Sequence, residues 1–248
     1  LARLLASEGH ITVVGDEDQC IFTWQGAHVE NFNDLKDHFK DYNPAEMILR
    51  TNYRSTEEIV EKSQSLMNAE KDRKQKDLKA NEGNGKGVSP ELWECKTKED
   101  EFTFIKNKIS ELKGTEIDNG KPRAVVLFRK NIPMGEFKAF VKNPAIKTST
   151  IHGVKGSEYS IVFIAHVENG SIPVGYWGAE PFVVPVKLQK TNLNISDSIA
   201  HQREERRNLY VAMTRAKKQL FLTYHTEDKK TRSKFLNDID LEPKKWSA

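Results

Sequence analysis

Four short runs, HITVVGD (10–16), RAVVLFR (123–129), YSIVFIAHV (159–167) and QLFLTYH (219–225), are apolar on consecutive residues rather than on alternate ones. A run of that length that is apolar throughout reads as a strand buried on both faces. Between these runs the chain turns amphipathic at helical spacing. Phe102, Ile105, Ile109 and Leu112 fall on one face of EDEFTFIKNKISELKG, with Gly114 as its C-cap, and Val29, Phe32, Leu35 and Phe39 fall on one face of VENFNDLKDHF. STEEIVEKSQSLMNA opens with Ser55 three residues before Glu58, a capping-box spacing, and REERRNLYVAMTRA leads directly into QLFLTYH. AEMILR and KTSTIHG add two further strand candidates. Buried strands separated by helices need crossover connections, and these enforce a parallel sheet covered on both faces. The expected class is therefore α/β. Residues 70–87 are polar and glycine-rich and read as a solvated connection, whereas 172–193 carry no clear pattern.

A chain of 248 residues buries enough surface to fold without a disulfide or metal staple. Its only cysteines, Cys20 and Cys95, lie far apart with no C-x-x-C or histidine cluster nearby, so no zinc or other metal site is expected. A reducing intracellular compartment follows as the default, cytoplasmic in a bacterium and nuclear in a eukaryote. The longest apolar runs fall far short of the roughly 20 residues needed to cross a bilayer, and no membrane partner is expected. LARLLASEGH lacks the basic leader and long apolar block of a secretory signal, and its start reads as a position inside a longer protein. The net charge is only +3, from 39 Lys and Arg against 36 Asp and Glu. Any nucleic-acid site must then be a local patch.

In open parallel sheets, ligands sit beyond the carboxyl ends of strands, in loops carried by a rigid base. Four loops are rich in chemistry: GDEDQ, TNYRST, TIHGVKGSEY and EERRNLYVAMTRA. Tyr53 offers a flat ring and Arg54 a planar cationic fork suited to phosphate oxygens. The alternatives are a core tyrosine and a surface ion pair. Thr150, His152, Lys155, Gly156 and Glu158 fall within nine residues, and the glycines permit close backbone approach to a ligand. Glu204 to Arg207 fit a charged solvated helix face, but Thr214 and Arg215 follow the apolar Val211, Ala212 and Met213, which that explanation does not cover.

Taken together and in order, VVGDEDQCIFTWQGA, LRTNYRST, TSTIHGVKGSEYSIVFI and EERRNLYVAMTRAKKQL resemble the later motifs of superfamily 1 helicases of the UvrD/Rep/PcrA type. The resemblance runs from about residue 11 to residue 224 and implies a RecA-like, P-loop NTPase-type parallel sheet flanked by helices. Residues 1–45 would then be the end of a first RecA-like motor domain, 46–228 the second one, and 229–248 a C-terminal tail. By the same resemblance the chain is part of an ATP-dependent DNA helicase of 3′-to-5′ polarity, with ATP and Mg²⁺ as cofactors. Gln19 would sense the terminal phosphate, Arg54 and Arg215 would act as arginine fingers, Tyr53 would stack on adenine, Gly156 would lie beside the triphosphate, and Glu158 would accept from the ribose. Phe22 and Trp24 would stack on single-stranded DNA, with Thr150 and His152 facing or coupling to it. Core packing is the alternative for Phe22, Trp24 and His152. Where the family commonly has Tyr and Arg, this chain has Phe22 and Gln25, which weakens the expectation of a charged contact at the latter.

No G-x-x-x-x-G-K-[ST] loop occurs, nor an Asp-Glu-x-x-Asp stretch at a strand end. The expected partners are therefore single-stranded DNA, ATP and a missing N-terminal motor domain that would supply the Mg²⁺ ligands, and the chain alone is expected to hydrolyse nothing. Residues 131–148 alone separate AVVLFRK from STIHGVKG, where large family members insert an accessory domain. A helicase-like scaffold that has lost catalysis remains the competing possibility.

Overall fold

The computed structural model describes residues 6, 10–27, 29, 34–71, 73–112, 117–118, 121–175 and 197–247. Its centre is a sheet of six strands: β1 (Glu91–Cys95), β2 (Ala124–Phe128), β3 (Lys147–Thr150), β4 (Tyr159–Ile164), β5 (Ala216–His225) and β6 (Pro243–Lys245), in the spatial order β6-β1-β5-β4-β2-β3. Every pairing is parallel. The register aligns Val125, Val162 and Leu220 across the three middle strands on one face. It aligns Val126, Phe163 and Phe221 on the other, where the last two rings stack 4.7 Å apart.

Strands apolar on both faces need cover on both. On the first face lie α1 (Glu57–Asn68), through Ile59, Leu66 and Met67, and α4 (Asp197–Met213), through Leu209, Val211 and Ala212. On the second face lie α2 (Lys98–Glu111) and α3 (Asn131–Val141), where Phe102 meets Phe137 edge-on at 5.1 Å and Phe128 at 6.4 Å. Fully burying each such side chain stabilises the fold by about 1.5–3 kcal/mol. This is the α/β architecture that the apolar runs imply. Among the described residues no helix is long and apolar enough to cross a membrane.

Several local expectations are corrected. HITVVGD is not a strand: Val14 is 79% exposed, and no described segment runs beside it to accept its backbone hydrogen bonds. AEMILR is likewise extended coil with Met47 87% exposed, and only Thr51–Asn52 pairs, in parallel, with Lys79–Ala80. Residues 70–87 are therefore more than a solvated connection. The N-cap of α1 is Thr56 rather than Ser55, and no side chain caps it. Its first N–H groups instead find the carbonyls of Gly85 and Lys86, at 3.1 Å each from Glu57 N and Glu58 N, while Ser55 Oγ donates to Ala216 O at 2.6 Å. Of VENFNDLKDHF, Val29 and Leu35–His38 are helical among the described residues, and Phe32 and Gly114 lie outside them. The helix 98–111 forms as expected, opened by a capping box between Thr97 and Asp100.

Residues after 228 do not stand off as a tail. Phe235, Leu236 and Ile239 are buried in the first core layer, and β6 adds an edge strand beside β1.

The loop that caps α1 is tight. Gly87 has φ +77°, and a Cβ there would lie 2.4 Å from Thr56 Cβ. Gly87→Ala should thus lower stability by roughly 1–3 kcal/mol, read from the midpoint of urea unfolding.

Candidate functional site

The turn after Thr51–Asn52 is shaped by Asn52, whose Oδ1 accepts from the backbone N–H of Arg54 and of Ser55, at 2.9 Å each. This lifts Tyr53 out, 75% exposed, and directs Arg54 inward. Arg54 Nε donates to Glu158 Oε2 at 3.0 Å and its Nη1 to Thr214 O at 3.2 Å. Glu158 is also gripped by Lys217, 2.6 Å from its Oε1. Hydrogen bonding to Lys217 and then to Arg54 holds the Glu158 carboxyl below its usual range.

Arg215 sits immediately behind. It is 1% exposed, the largest fully buried side chain among the described residues. Nε donates to Val211 O at 2.9 Å, Nη1 to Ser157 O at 3.2 Å, and Nη2 to Thr214 Oγ1 at 3.1 Å and to Gln19 Oε1 at 3.3 Å. Burial, followed by the charge of Arg54, lowers its pKa to about 10, so it stays protonated at neutral pH. Gln19, in the short turn Glu17–Gln19, donates from Nε2 to Asp16 Oδ2 at 2.7 Å. Gln19, Arg54, Glu158 and Arg215, drawn from four distant stretches of chain, therefore form one hydrogen-bonded set. Gly156 lies two residues before Glu158 with φ +86° and open space where a Cβ would stand, so it is the backbone conformation that calls for glycine there.

Charge decides what such a set can accept. Its carboxylates are already neutralised, Glu158 by Arg54 and Lys217 and Asp16 by Lys76 at 2.5 Å. Cationic Arg54 and Lys217 remain partly exposed, and the arrangement suits an anion with several oxygens rather than a metal ion.

The acidic turn is held from the segment after α1. Lys76 Nζ lies 2.5, 2.8 and 3.0 Å from carboxylate oxygens of Asp16, Glu17 and Asp18. Arg73 Nε lies 2.9 Å from both oxygens of Asp18, with the two side chains only 4% and 3% exposed. A relay Lys76–Asp16–Gln19–Arg215 results.

A second group of residues is linked to the first by two short paths. From Gln19 the chain runs along α4, where Cys20 O accepts from Arg207 Nε at 2.8 Å, to Ile21 and Phe22. His152 Nε2 is 3.1 Å from Ile21 O, so that nitrogen carries the proton, and its ring lies 5.7 Å from that of Phe22. Burial, then the Arg129 charge, lowers the His152 pKa. Phe22 is partly exposed and has Lys155 Nζ 4.8 Å from its ring centre. Thr150 ends β3 and its Oγ1 accepts from Gly153 N at 3.2 Å. The second path is the stretch 150–158 itself, anchored by buried Ile151 and Val154. The backbone of Trp24 lies in the turn Thr23–Gln25, and its side chain is outside the described residues.

The expectation that these loops crown the carboxyl ends of strands holds for Thr150 but not for Glu158 and Arg215, which lead into β4 and β5 at their amino ends. Sequence inspection also missed Arg73, Lys76 and Lys217, which lie in charged stretches where apolar periodicity is silent. Arg206 and Arg207 hold the fold rather than a solvated face, Arg207 through the carbonyl of Cys20. Arg206 bridges Asp238 at 2.6 Å, whereas Glu205 is fully buried against Arg129 at 2.7 Å.

A family model described as the UvrD-like helicase C-terminal domain matches residues 47–141 and 132–227, and one described as the UvrD/REP helicase N-terminal domain matches residues 1–40. A probable DNA helicase of Mycoplasma pneumoniae is 30% identical over 233 residues, covering 90% of this chain and 40% of the relative. A probable DNA helicase II homolog of Mycoplasma capricolum is 34% identical over 165 residues, covering 64% of this chain and 21% of the relative. The chain thus spans well under half the length of these relatives. A solved structure of the C-terminal domain of a possible DNA helicase from Lactobacillus plantarum is similar at a TM-score of 0.47 and 13% identity, covering 76% of this chain and 94% of the other.

Proposed function

This chain belongs to the UvrD-like helicase family, and from that premise we propose that it is the second motor half of an ATP-dependent helicase acting on single-stranded DNA. The observation that carries the proposal is the convergence of Gln19, Arg54, Glu158 and Arg215, with Arg54 and Arg215 both bonded to Thr214. In the proposed cycle a terminal phosphate enters beside Arg54 and Arg215 and replaces Glu158 and Gln19 as acceptor. Glu158 stays neutralised by Lys217 and turns to the ribose, while Tyr53 lies against the base. The two guanidinium groups stabilise charge that accumulates on the phosphoryl oxygens in the transition state. The phosphate loop, the Mg²⁺ ligands and the water-activating carboxylate belong to the first motor domain, whose end is residues 1–45, and the second domain begins at residue 46. This chain by itself is expected to turn over no ATP. Exposed Val14, Met47 and Leu49 support such a neighbour, since they are apolar and lack cover among the described residues.

DNA binding is assigned to Phe22, Trp24, Thr150 and His152, with Lys155 as a nearby phosphate contact. Movement of Gln19 on phosphate binding would reach Phe22 through only two intervening residues, which couples nucleotide state to grip on the strand. Stacking on an aromatic ring is indifferent to base identity and contributes about 1–3 kcal/mol per base. Phe22→Ala should therefore weaken binding of a single-stranded oligonucleotide by roughly 5- to 150-fold. Fluorescence anisotropy measures it, with circular dichroism as control for folding. Unchanged affinity would remove Phe22 from the DNA surface.

A further inference from the structure

At the far end of β4 and β5 from Glu158 and Arg215 lies a cluster that the nucleotide chemistry does not use. Glu101 comes from the first turn of α2, His166 and Glu168 follow β4, and His225 ends β5. All four are buried, at 0, 5, 0 and 2% exposure respectively. One possible ligand atom from each lies within 4.8 Å of one from every other. Ten residues separate Arg215 from His225 along a strand, about 30 Å, so the cluster is distinct from the proposed phosphate site. It occupies the carboxyl edge of the two central strands, where folds of this class hold ligands.

We propose that Glu101, His166, Glu168 and His225 form a binding site for one divalent transition-metal ion of the zinc type. Two imidazoles with two carboxylates make a mixed nitrogen and oxygen set, which suits zinc and its neighbours better than calcium or magnesium.

The supporting bonds are of the kind that orient ligands from outside. Glu101 Oε1 is fixed by Thr223 Oγ1 at 2.5 Å and by the backbone N–H of His166 at 2.8 Å. Glu168 Oε1 accepts from Ser171 Oγ at 2.8 Å, and Lys230 Nζ, 3.3 Å from Glu168 Oε1 and 3.2 Å from His225 Nε2, is the cation that a bound metal ion would displace. Each residue then keeps one atom without a hydrogen bond among the described residues: Glu101 Oε2, Glu168 Oε2, His166 Nε2 and His225 Nδ1. Such atoms are costly to bury, and Glu101 Oε2, turned towards His166 Nδ1, is the one a central ion would satisfy. Within the cluster His166 Nδ1 lies 3.1 Å from Glu101 Oε2 and 3.5 Å from Glu168 Oε1, and His225 Nε2 lies 3.7 Å from Glu168 Oε1, while His225 Nδ1 faces Glu227 Oε2 at 3.8 Å. His166 adopts φ +60°, a strained conformation for a non-glycine residue, which keeps its ring in the cluster.

Ligand atoms about 2.1 Å from a tetrahedral ion stand roughly 3.4 Å apart, so the shell closes by about an ångström through side-chain rotation. Without an ion the His166 ring proton serves the carboxylates. Burial disfavours its charge, but Glu101 and then Glu168 outweigh that and raise the ring to about 10. A metal ion displaces this proton.

The test uses the purified chain, stripped with chelator and titrated with Zn²⁺ by calorimetry, with Co²⁺ in a parallel titration to report coordination through its visible spectrum. The expected result is one ion per chain, a raised Tm, and a four-coordinate Co²⁺ spectrum. His225→Gln should cost more than the 10- to 100-fold in affinity usual for a residue that merely supports a ligand, and Thr223→Val should cost about that much. No stoichiometric binding by the wild-type chain would overturn the proposal. So would equal affinity in folded His225→Gln and Glu168→Gln variants, because the ion would then sit elsewhere. Neither outcome bears on the nucleotide site, which lies at the opposite edge of the sheet.

Discussion

Arg54→Ala, introduced into the helicase that joins this chain to its first motor domain, should lower DNA-stimulated ATP turnover by about 10³-fold or more while leaving the fold intact. An arginine aimed at a transferring phosphoryl group contributes about 10³–10⁵ in rate, because its charge lies where negative charge develops. The side chain is about one-third exposed and among the described residues bonds only Glu158 and the Thr214 carbonyl, so its loss leaves no buried charge behind. Arg54→Lys keeps the charge but not the planar fork, and should recover only part of the rate. Arg215→Ala should be at least as damaging to turnover, but less cleanly so, since the carbonyls of Val211 and Ser157 and the Gln19 side chain would lose a buried donor. Steady-state phosphate release at saturating single-stranded DNA, with unfolding midpoints alongside, separates the two effects. Near-normal turnover in Arg54→Ala would remove it from the catalytic set.

Arg73→Ala should destabilise the chain by about 3–5 kcal/mol. The cost arises because Asp18 is left charged and buried, and removing one partner of a buried pair is far worse than removing both. Lys76, 3.0 Å from Asp18, offsets part of this, but it is shared with Asp16 and Glu17. The double replacement Asp18→Leu with Arg73→Met should recover most of the loss, since no unpaired charge remains. Urea unfolding measures both variants. A loss under about 1 kcal/mol for Arg73→Ala would mean that the acidic turn is not held by this pair. The consequence for function runs through the relay: with the turn loosened, Gln19 is no longer held against Arg215.

The strands RAVVLFR, YSIVFIAHV and QLFLTYH were legible because both their faces are buried, which leaves an unbroken apolar run in the sequence. ELWEC was missed because Trp93 and Glu94 are only partly buried and dilute the signal. HITVVGD misled for a different reason: apolar character marks a segment that needs cover, but does not say which partner supplies it. The helix at 131–141 carries Pro133 and Gly135, which dilute its helical signal, although proline is tolerated in a first turn. Four residues of the candidate site were legible as motif positions whose order matches the family, and the structure brings Gln19, Arg54, Glu158 and Arg215 together. The metal-like quartet was invisible because its members are single residues spread from 101 to 225, brought together only by strand order.

The most direct measurement compares the affinity of the helicase for ADP with its affinity for ADP plus aluminium fluoride, a mimic of the transferring phosphoryl group, in wild type, Gln19→Ala, Arg54→Ala and Arg215→Ala. If both guanidinium groups meet one terminal phosphate, wild type prefers the mimic by about 10²-fold or more, and each arginine variant loses most of that preference while holding ADP within about threefold. Full preference retained in both arginine variants would mean that the two side chains, though adjacent, serve no common phosphate.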